Sequence, residues 1–327
     1  MRTLKATLAI VLALLLGAAG PASAAGTAGT EPFNFLSLDA NARAVAMGGA
    51  YTALATDANA LLYNPAGLAR IARNEATFMH NTDVAGIFQE YGAYASPQGW
   101  GVNFNYLNAG TVGNTTISNP TGAGLGTSGL YDLALSGGYG RKIGDSLSLG
   151  AEIKYIRETI AGISGQTAAF DFGALYSVPK LTGLALGLSL QNVGPTVKYE
   201  GATQNLPLTI RGGAAYDFDV LGEKSAVSFD LIKERSSTVV AAVGLETVLV
   251  KMMPIRLGFT SNNDAGIGIT TGVGWIYHDM AFDYAFVPFG ALGNAHRLSV
   301  TLRWGGAAKK DAAYSPATSS PAASSAY

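Results

Sequence analysis

The sequence predicts an all-β protein: a transmembrane antiparallel β-barrel of about fourteen strands with a small N-terminal helical hatch. Three observations lead there. Hydrophobicity alternates with period two from about residue 75 to residue 304, the number of alternating runs is even, and the long connections fall only after every second run.

The first observation rests on strand geometry, which sends successive side chains to opposite faces. Leu147, Leu149, Ala151, Ile153 and Tyr155 share one face, while Ser146, Ser148, Gly150, Glu152 and Lys154 share the other. The same sorting sets Phe170, Phe172 and Tyr176 against Asp171, and Val227, Phe229 and Leu231 against Ser228 and Asp230. It recurs in the last run, where Leu298, Val300, Leu302 and Trp304 oppose Arg297, Ser299, Thr301 and Arg303.

Counting such runs gives strands at 75–82, 86–96, 99–110, 130–143, 146–161, 165–178, 183–193, 206–218, 224–234, 238–250, 254–262, 266–277, 279–287 and 295–304. An even number of strands, with tight turns such as 96–99 and 143–145, suits a closed barrel, which satisfies every backbone group in lipid. Both ends of a bacterial outer-membrane barrel lie in the periplasm, so its long loops follow odd-numbered strands. The connections 111–129, 194–205 and 288–294 follow the third, seventh and thirteenth runs. A soluble sandwich or propeller has no reason to alternate its loops in this way.

Upstream of the strands, Arg2 and Lys5, the apolar stretch Leu8 to Leu16, and Ala22-Ser23-Ala24 describe a secretory signal peptide over 1–24. The expected organisation is then a hatch or plug over 25–74, a barrel over 75–304 and a disordered periplasmic tail over 305–327, rich in Ala, Ser and Pro. The expected location is the outer membrane.

Composition agrees and removes several function classes. Forty-two glycines, fifteen tyrosines and thirteen phenylalanines with only 13% charged residues suit many short strands and turns. Twenty-one basic against 22 acidic residues leave no electrostatic footprint for nucleic acid. The absence of cysteine excludes disulfides, thiolate catalysis and cysteine zinc sites. His80, His278 and His296 lie at three different strand ends without metal-ligand spacing. The G-x-G-x-x-G match at Gly124, Gly126 and Gly129 lacks a preceding strand and a following helix, and no G-x-S-x-G elbow occurs. The chain is therefore expected to be no enzyme and to carry no metal and no cofactor; a hydrolase would need a Ser/His/Asp cluster assembled from distant strands.

A charge facing lipid at mid-membrane is penalised by a few kcal/mol. Glu152, Lys154, Asp171, Arg211, Asp230, Asp283 and Arg297 are thus expected to form a polar network in the lumen, of both signs and paired, stabilising the interior rather than touching a substrate. Trp100, Tyr131, Trp275, Tyr277 and Trp304 are expected in aromatic girdles at the water interfaces.

Before the first strand the alternation is missing. Asn41 to Met47 and Asp57 to Leu62 read as short helices separated by Gly48-Gly49, with Asp57 placed as an N-cap. Asn64-Pro65-Ala66-Gly67-Leu68 then makes a rigid corner, because proline forces the preceding residue to be extended and presets a helical first turn.

The run Ala42-Arg43-Ala44-Val45-Ala46-Met47-Gly48-Gly49-Ala50-Tyr51, followed by Asp57-Ala58-Asn59-Ala60-Leu61-Leu62-Tyr63-Asn64-Pro65-Ala66-Gly67-Leu68, resembles the start of PorV/PorQ family proteins, relatives of the long-chain fatty acid transporter FadL. Asn294-Ala295-His296-Arg297-Leu298-Ser299-Val300 resembles that family's last strand. The resemblance implies a fourteen-stranded barrel whose hatch lies inside it, with Met47, Gly48, Gly49, Asn64, Pro65, Ala66 and Gly67 as hatch and gating residues. In FadL-type transporters the hatch gates hydrophobic ligands that leave sideways into the membrane; in PorV-type members the barrel is an outer-membrane component of type IX secretion. The tail after Trp304 departs from the usual barrel ending.

The expected function is uptake or passage of hydrophobic small molecules, captured at the 111–129 loop, with a secretion component or scaffold as the alternative. The expected partners are outer-membrane lipid and either a hydrophobic ligand or secretion-system proteins, and no nucleic acid. A continuous apolar cavity beside Asn64 would favour transport, and a sealed lumen would favour secretion.

Overall fold

The structure, a computed structural model, describes residues 32–83, 86–199, 202–220, 222–249, 251–262 and 266–305. The expected signal peptide and nearly all of the expected tail lie outside the described residues.

The strands are β1 (Asn74–Thr82), β2 (Phe88–Ala95), β3 (Trp100–Gly113), β4 (Thr127–Ile143), β5 (Leu147–Ile160), β6 (Ile163–Ser177), β7 (Leu184–Val193), β8 (Val197–Tyr199), β9 (Ala202–Gln204), β10 (Thr209–Val220), β11 (Glu223–Glu234), β12 (Val239–Leu249), β13 (Met253–Thr260), β14 (Ile269–Tyr277), β15 (Met280–Pro288) and β16 (Asn294–Trp304). Fourteen of them close into an antiparallel barrel, and β8 and β9 form a separate hairpin. Closure comes from β1 against β16, in a register that sets Asn74 opposite Trp304 and Phe78 opposite Val300. The two ends of the barrel therefore share one rim, the periplasmic one in a bacterial outer-membrane barrel.

Side chains sort by face as lipid solvation requires. Phe170 and Phe172 are 46% and 48% exposed, whereas Asp171 between them is 0% exposed. Leu149 and Ile153 likewise point out, and Ser148, Glu152 and Lys154 point in. Trp100, Trp275, Tyr277 and Trp304 are exposed at the periplasmic ends of their strands, and Tyr94 bridges two of them with ring centroids 5.1 Å from Trp100 and 5.8 Å from Trp304. Tyr131, also exposed, lies near the outer end of β4.

Two connections differ from expectation. The segment 111–129 is partly strand: beyond a register shift between Asn108 and Thr111, pairing resumes at Thr111–Gly129 and runs to Gly113–Thr127. The loop itself spans 114–126. The stretch 194–205 contains the β8–β9 hairpin, and β10 begins at Thr209, two residues after Pro207, which has no N–H to give the ladder.

Residues 32–73 occupy the lumen. Helix α1 (Ala42–Ala46) packs on β13–β16, helix α2 (Ala60–Tyr63) touches β3 and β4, and a 3₁₀ turn at Pro65–Arg70 packs on β3–β6. Asn41 caps α1, its side chain accepting from Ala44 N. The helix ends because Gly48 and Gly49 take φ of 69° and 80°, with Gly48 N donating to Val45 O and Gly49 N to Ala44 O, both at 2.9 Å. Asp57 does not cap α2; the helix starts after Asn59, and Asp57 Oδ1 instead accepts from Asn59 N at 3.0 Å in the turn leading to it. Asn64 is extended, φ −163°, and its Oδ1 accepts from Ala66 N, so Pro65 opens the turn as expected.

Candidate functional site

The hatch meets the barrel wall through glycine. A strand normally keeps neighbouring backbone about 10 Å away by the height of its side chains, so backbone can dock on a wall only where the side chains are missing. A β-carbon at Gly187 would lie 2.6 Å from Thr52 O, one at Gly140 2.6 Å from Ala69 N, and one at Gly244 2.7 Å from Met47 O. Gly150, Gly173 and Gly258 face hatch backbone at Pro65, Ala66 and Gly48 in the same way. Gly48 itself has Phe259 O 2.5 Å from where its β-carbon would stand, so this position needs glycine for space as well as for its positive φ.

Polar links then fix the hatch in place. Arg43 makes a two-pronged ion pair with Glu246, 2.9 Å from Nε to Oε2 and 2.8 Å from Nη2 to Oε1, and lies 3.5 Å from Asp57. Tyr51 OH receives Arg43 Nη1 at 2.9 Å and donates to Asp57. Glu246 also accepts from Arg256 Nε at 2.5 Å, and Arg256 Nη1 reaches Asp283 at 2.6 Å. All five charged groups are buried, which is tolerable only because they pair with one another.

A second anchor is Asp230. Its Oδ2 accepts from Tyr51 N at 3.0 Å, Thr52 N at 2.9 Å and Thr52 Oγ1 at 2.5 Å. Arg211 stands 3.7 Å from it, donates to Gly49 O at 2.8 Å, and lies 5.2 Å from the Tyr63 ring centroid. Ser299 Oγ accepts from Ala42 N at 3.0 Å, and Gln191 Nε2 donates to Leu62 O at 2.9 Å. At the periplasmic rim Glu75 accepts from Arg303 at 2.8 Å and from Ala58 N at 3.1 Å.

The residues assigned to a lumen network lie inward and buried, with ion pairs between Lys154 and Asp171 at 2.7 Å, Arg211 and Asp230, Asp283 and Arg256, and Arg297 and Asp83 at 3.9 Å. Glu152 is the exception; it is buried, and neither carboxylate oxygen has a hydrogen-bond partner. Sequence reasoning missed Arg43, Glu246 and Arg256, although Glu246 and Arg256 sit at inward positions of alternating strands. Of the expected gating residues, Asn64 is fully enclosed. Its amide donates to Thr52 O at 3.1 Å and Ala174 O at 3.0 Å, so it clamps hatch to wall instead of lining an apolar cavity. Pro65, Ala66 and Gly67 continue this corner, buried against β4–β6. Met47 and Gly48 touch the wall at β12 and β13, and the Gly49 carbonyl accepts from Arg211 of β10.

Gly48 and Gly49 also form part of the floor of a cavity of about 90 Å³ at the outer mouth, with Leu36, Leu38, Asp39, Leu62 and Tyr63 from the hatch and Gln191, Thr209, Arg211, Ile232, Glu234 and Val240 from the wall. Ser37 Oγ donates to Glu234 at 2.6 Å across its rim. Burial first, then the neighbouring Asp39 carboxylate, holds the Tyr63 phenol well above its ordinary pKa, so it stays a neutral hydroxyl.

Beside this cavity the wall is irregular. The β6–β7 ladder shifts between Phe170 and Phe172, and Asn192 takes a left-handed φ of 62°. Side chains replace the lost ladder bonds: Asp171 accepts from Asn192 N at 2.8 Å, Asn192 Nδ2 donates to Pro207 O at 3.0 Å, and Lys154 donates to Asn192 Oδ1 at 3.0 Å. Beyond Val193 no barrel strand pairs with the outer part of β6 on this side among the described residues; Gly194 and Leu206 pack there instead.

Residues 15–173 match the model of UPF0164, described as an uncharacterised protein family. Two UPF0164 proteins of Treponema pallidum (strain Nichols) are each 30% identical, one over 186 residues covering 51% of this chain and 45% of the relative, the other over 173 residues covering 47% and 51%. The chain spans about half the length of these curated relatives. Among solved structures, the toluene transporter TbuX of Ralstonia pickettii superposes with a TM-score of 0.56 at 14% identity, covering 81% of this chain and 98% of that one. The CymD monoaromatic hydrocarbon channel gives 0.54 at 10% identity over 82% and 98%, and a Pseudomonas aeruginosa FadL homologue gives 0.50 at 13% over 80% and 98%. The PorV/PorQ naming finds no support in these matches, and the structural neighbours are transport channels rather than enzymes. These likenesses, none above 14% identity, show the fold: a closed fourteen-stranded antiparallel barrel with an apolar exterior, as in those outer-membrane channels.

Proposed function

We propose that this chain passes hydrophobic small molecules across an outer membrane by movement of its hatch. The observation that carries the reading is that the hatch itself floors the outer cavity: a molecule entering beside Leu36 and Leu62 presses on Gly48, Gly49 and Tyr63. Capture begins on the 114–126 loop, where Ile117 and Leu125 are exposed. The way out of the lumen is the irregular wall at Asn192, which adjoins Gln191 of the cavity. The toluene and monoaromatic hydrocarbon transport named for the structural neighbours supports the ligand class. No catalytic step is part of this reading.

The test uses the full chain, which has no cysteine of its own. A cysteine pair at Ala42 and Ser299, adjacent through the 3.0 Å Ala42 N to Ser299 Oγ bond, locks hatch to wall when oxidised. Uptake of toluene or of a long-chain fatty acid into cells or proteoliposomes is expected to stop on oxidation and to return on reduction. Uptake indifferent to the lock defeats the proposal. A second reading, a PorV-like component of protein secretion, is favoured by the close packing of the lumen around Asn64 and the Arg43–Glu246–Arg256 cluster; co-purification with secretion proteins tests it.

A further inference from the structure

The outer cavity has a chemistry of its own, and its size limits what it holds. About 90 Å³ is smaller than the roughly 150 Å³ apolar cavity that takes benzene. It therefore seats a head group or one end of a compact molecule, with the remainder lying toward Leu36, Leu38 and Val240.

Its polar side is negative. Asp39 and Glu234 both line it, one from the hatch and one from the end of β11. Glu234 carries a neutral donor, the Ser37 hydroxyl at 2.6 Å. The one cationic lining residue, Arg211, faces Asp230 at 3.7 Å and donates to Gly49 O and Thr52 Oγ1, at 2.8 and 3.2 Å. Lys233, exposed on the neighbouring position of β11, directs its ammonium to Ser237 O. Arg297, buried outside the lining, is shared between Asp39 and Asp83, the latter at 3.9 Å. Gln191, Thr209 and the Tyr63 phenol complete the lining with neutral hydrogen-bonding groups.

We infer that this mouth recognises an amphiphile whose head group is an amine or a hydroxyl, and that it discriminates against carboxylates. A carboxylate brought between Asp39 and Glu234 meets like charge in a partly desolvated site, whereas an ammonium gains two partners and a hydroxyl finds both donors and acceptors. A plain hydrocarbon leaves these polar groups without a partner and loses the water that served them. The inference rests on the transport reading above and narrows its ligand class.

The experiment takes full-length protein in a non-ionic detergent and titrates four molecules with one ring and different heads: toluene, benzyl alcohol, benzylamine and benzoate. Benzylamine is expected to bind at least tenfold more tightly than benzoate, with benzyl alcohol between them and toluene weaker than benzyl alcohol. Glu234→Gln, at the rim, where the glutamine amide oxygen can still accept from Ser37, is expected to cut the benzylamine-to-benzoate ratio by about fivefold, and adding Asp39→Asn to bring it near one. Partition into micelles is common to all variants and cancels in these ratios. Benzoate binding as tightly as benzylamine, or a ratio unmoved by Glu234→Gln, overturns the head-group inference while leaving hatch-gated passage standing. No saturable binding by any of the four overturns the cavity as a ligand site, and a hatch lock that leaves uptake unchanged remains the separate failure of the transport reading.

Discussion

Replacing Gly187 by alanine adds one methyl group at the contact between β7 and the hatch. Its carbon would stand 2.6 Å from Thr52 O, 2.8 Å from Thr52 C and 3.0 Å from Ala53 Cα, all of them main-chain atoms that no side-chain rotation can move. Restoring an ordinary contact of about 3.4 Å requires the hatch to retreat by about 0.8 Å. Thr52 N is already 2.9 Å from Asp230, so a retreat of that size away from the wall endangers a hydrogen bond to a charged group worth about 1.5–3 kcal/mol. Together with overpacking, typically 1–3 kcal/mol, the loss is about 3 kcal/mol, on the order of a hundredfold in the ratio of docked to undocked hatch. The barrel keeps its own ladder, so heat-modifiable migration on gels should persist while open-channel events in planar bilayers become more frequent. Gly212→Ala, one strand away, is the control, because a β-carbon there meets nothing within 4 Å and should leave conductance unchanged. Wild-type conductance in Gly187→Ala, with a cysteine introduced at Ala42 no more reactive than in the protein that keeps Gly187, would refute the backbone-on-glycine docking argument.

Glu246→Ala leaves Arg43 and Arg256 buried without their shared carboxylate, and a loss of about 3–5 kcal/mol is expected in urea-dependent folding into vesicles. Leu188→Arg puts a charge where a side chain is 57% exposed on the outward face of β7, and it should lower folding stability by about 2–4 kcal/mol if that position lies at mid-membrane, falling toward zero at the interface. At the periplasmic turn, the hydrogen bond from Arg73 holds the Asp279 carboxyl below its ordinary pKa. A depressed folded-state pKa means the bond is intact above the usual aspartate range of about 3.9 and is lost only as pH falls through the lower folded value, so carboxyl NMR should show Asp279 titrating at lower pH than an ordinary aspartate and Arg73→Ala should return it to the usual range.

The barrel was legible because lipid and lumen impose opposite demands on adjacent residues. Phe170-Asp171-Phe172 and the run from Leu147 to Tyr155 could serve no other surface, and the even strand count followed. The hatch contact was not legible for a different reason. Gly140, Gly187 and Gly244 look like any strand-weakening glycine, and the backbone they admit lies more than 70 residues earlier in the chain. Glu246 and Arg256 obey the alternation that revealed Asp171 and Asp230, so their inward position was readable, but Arg43 as their partner was not. The stretch 194–205 was readable as a long connection, but the runs on either side took in Asn192 and Pro207, and nothing in them showed that a hairpin folds between or that side chains replace the ladder. Asp57 has the composition of a cap, and its carboxylate is instead drawn to Tyr51 and Arg43.

The way the hatch touches the wall bears on how the barrel is made. Helix α1 leans on β13–β16 while the turn at Pro65–Arg70 leans on β3–β6, so the same short segment grips both flanks of the β1–β16 seam. A sheet that sealed first would have to admit α1 and the proline corner, with the bulky Tyr51 and Tyr63 between them, through its open rim. A hatch already seated between these two flanks would give the sheet a surface to curl around before β16 closes on β1.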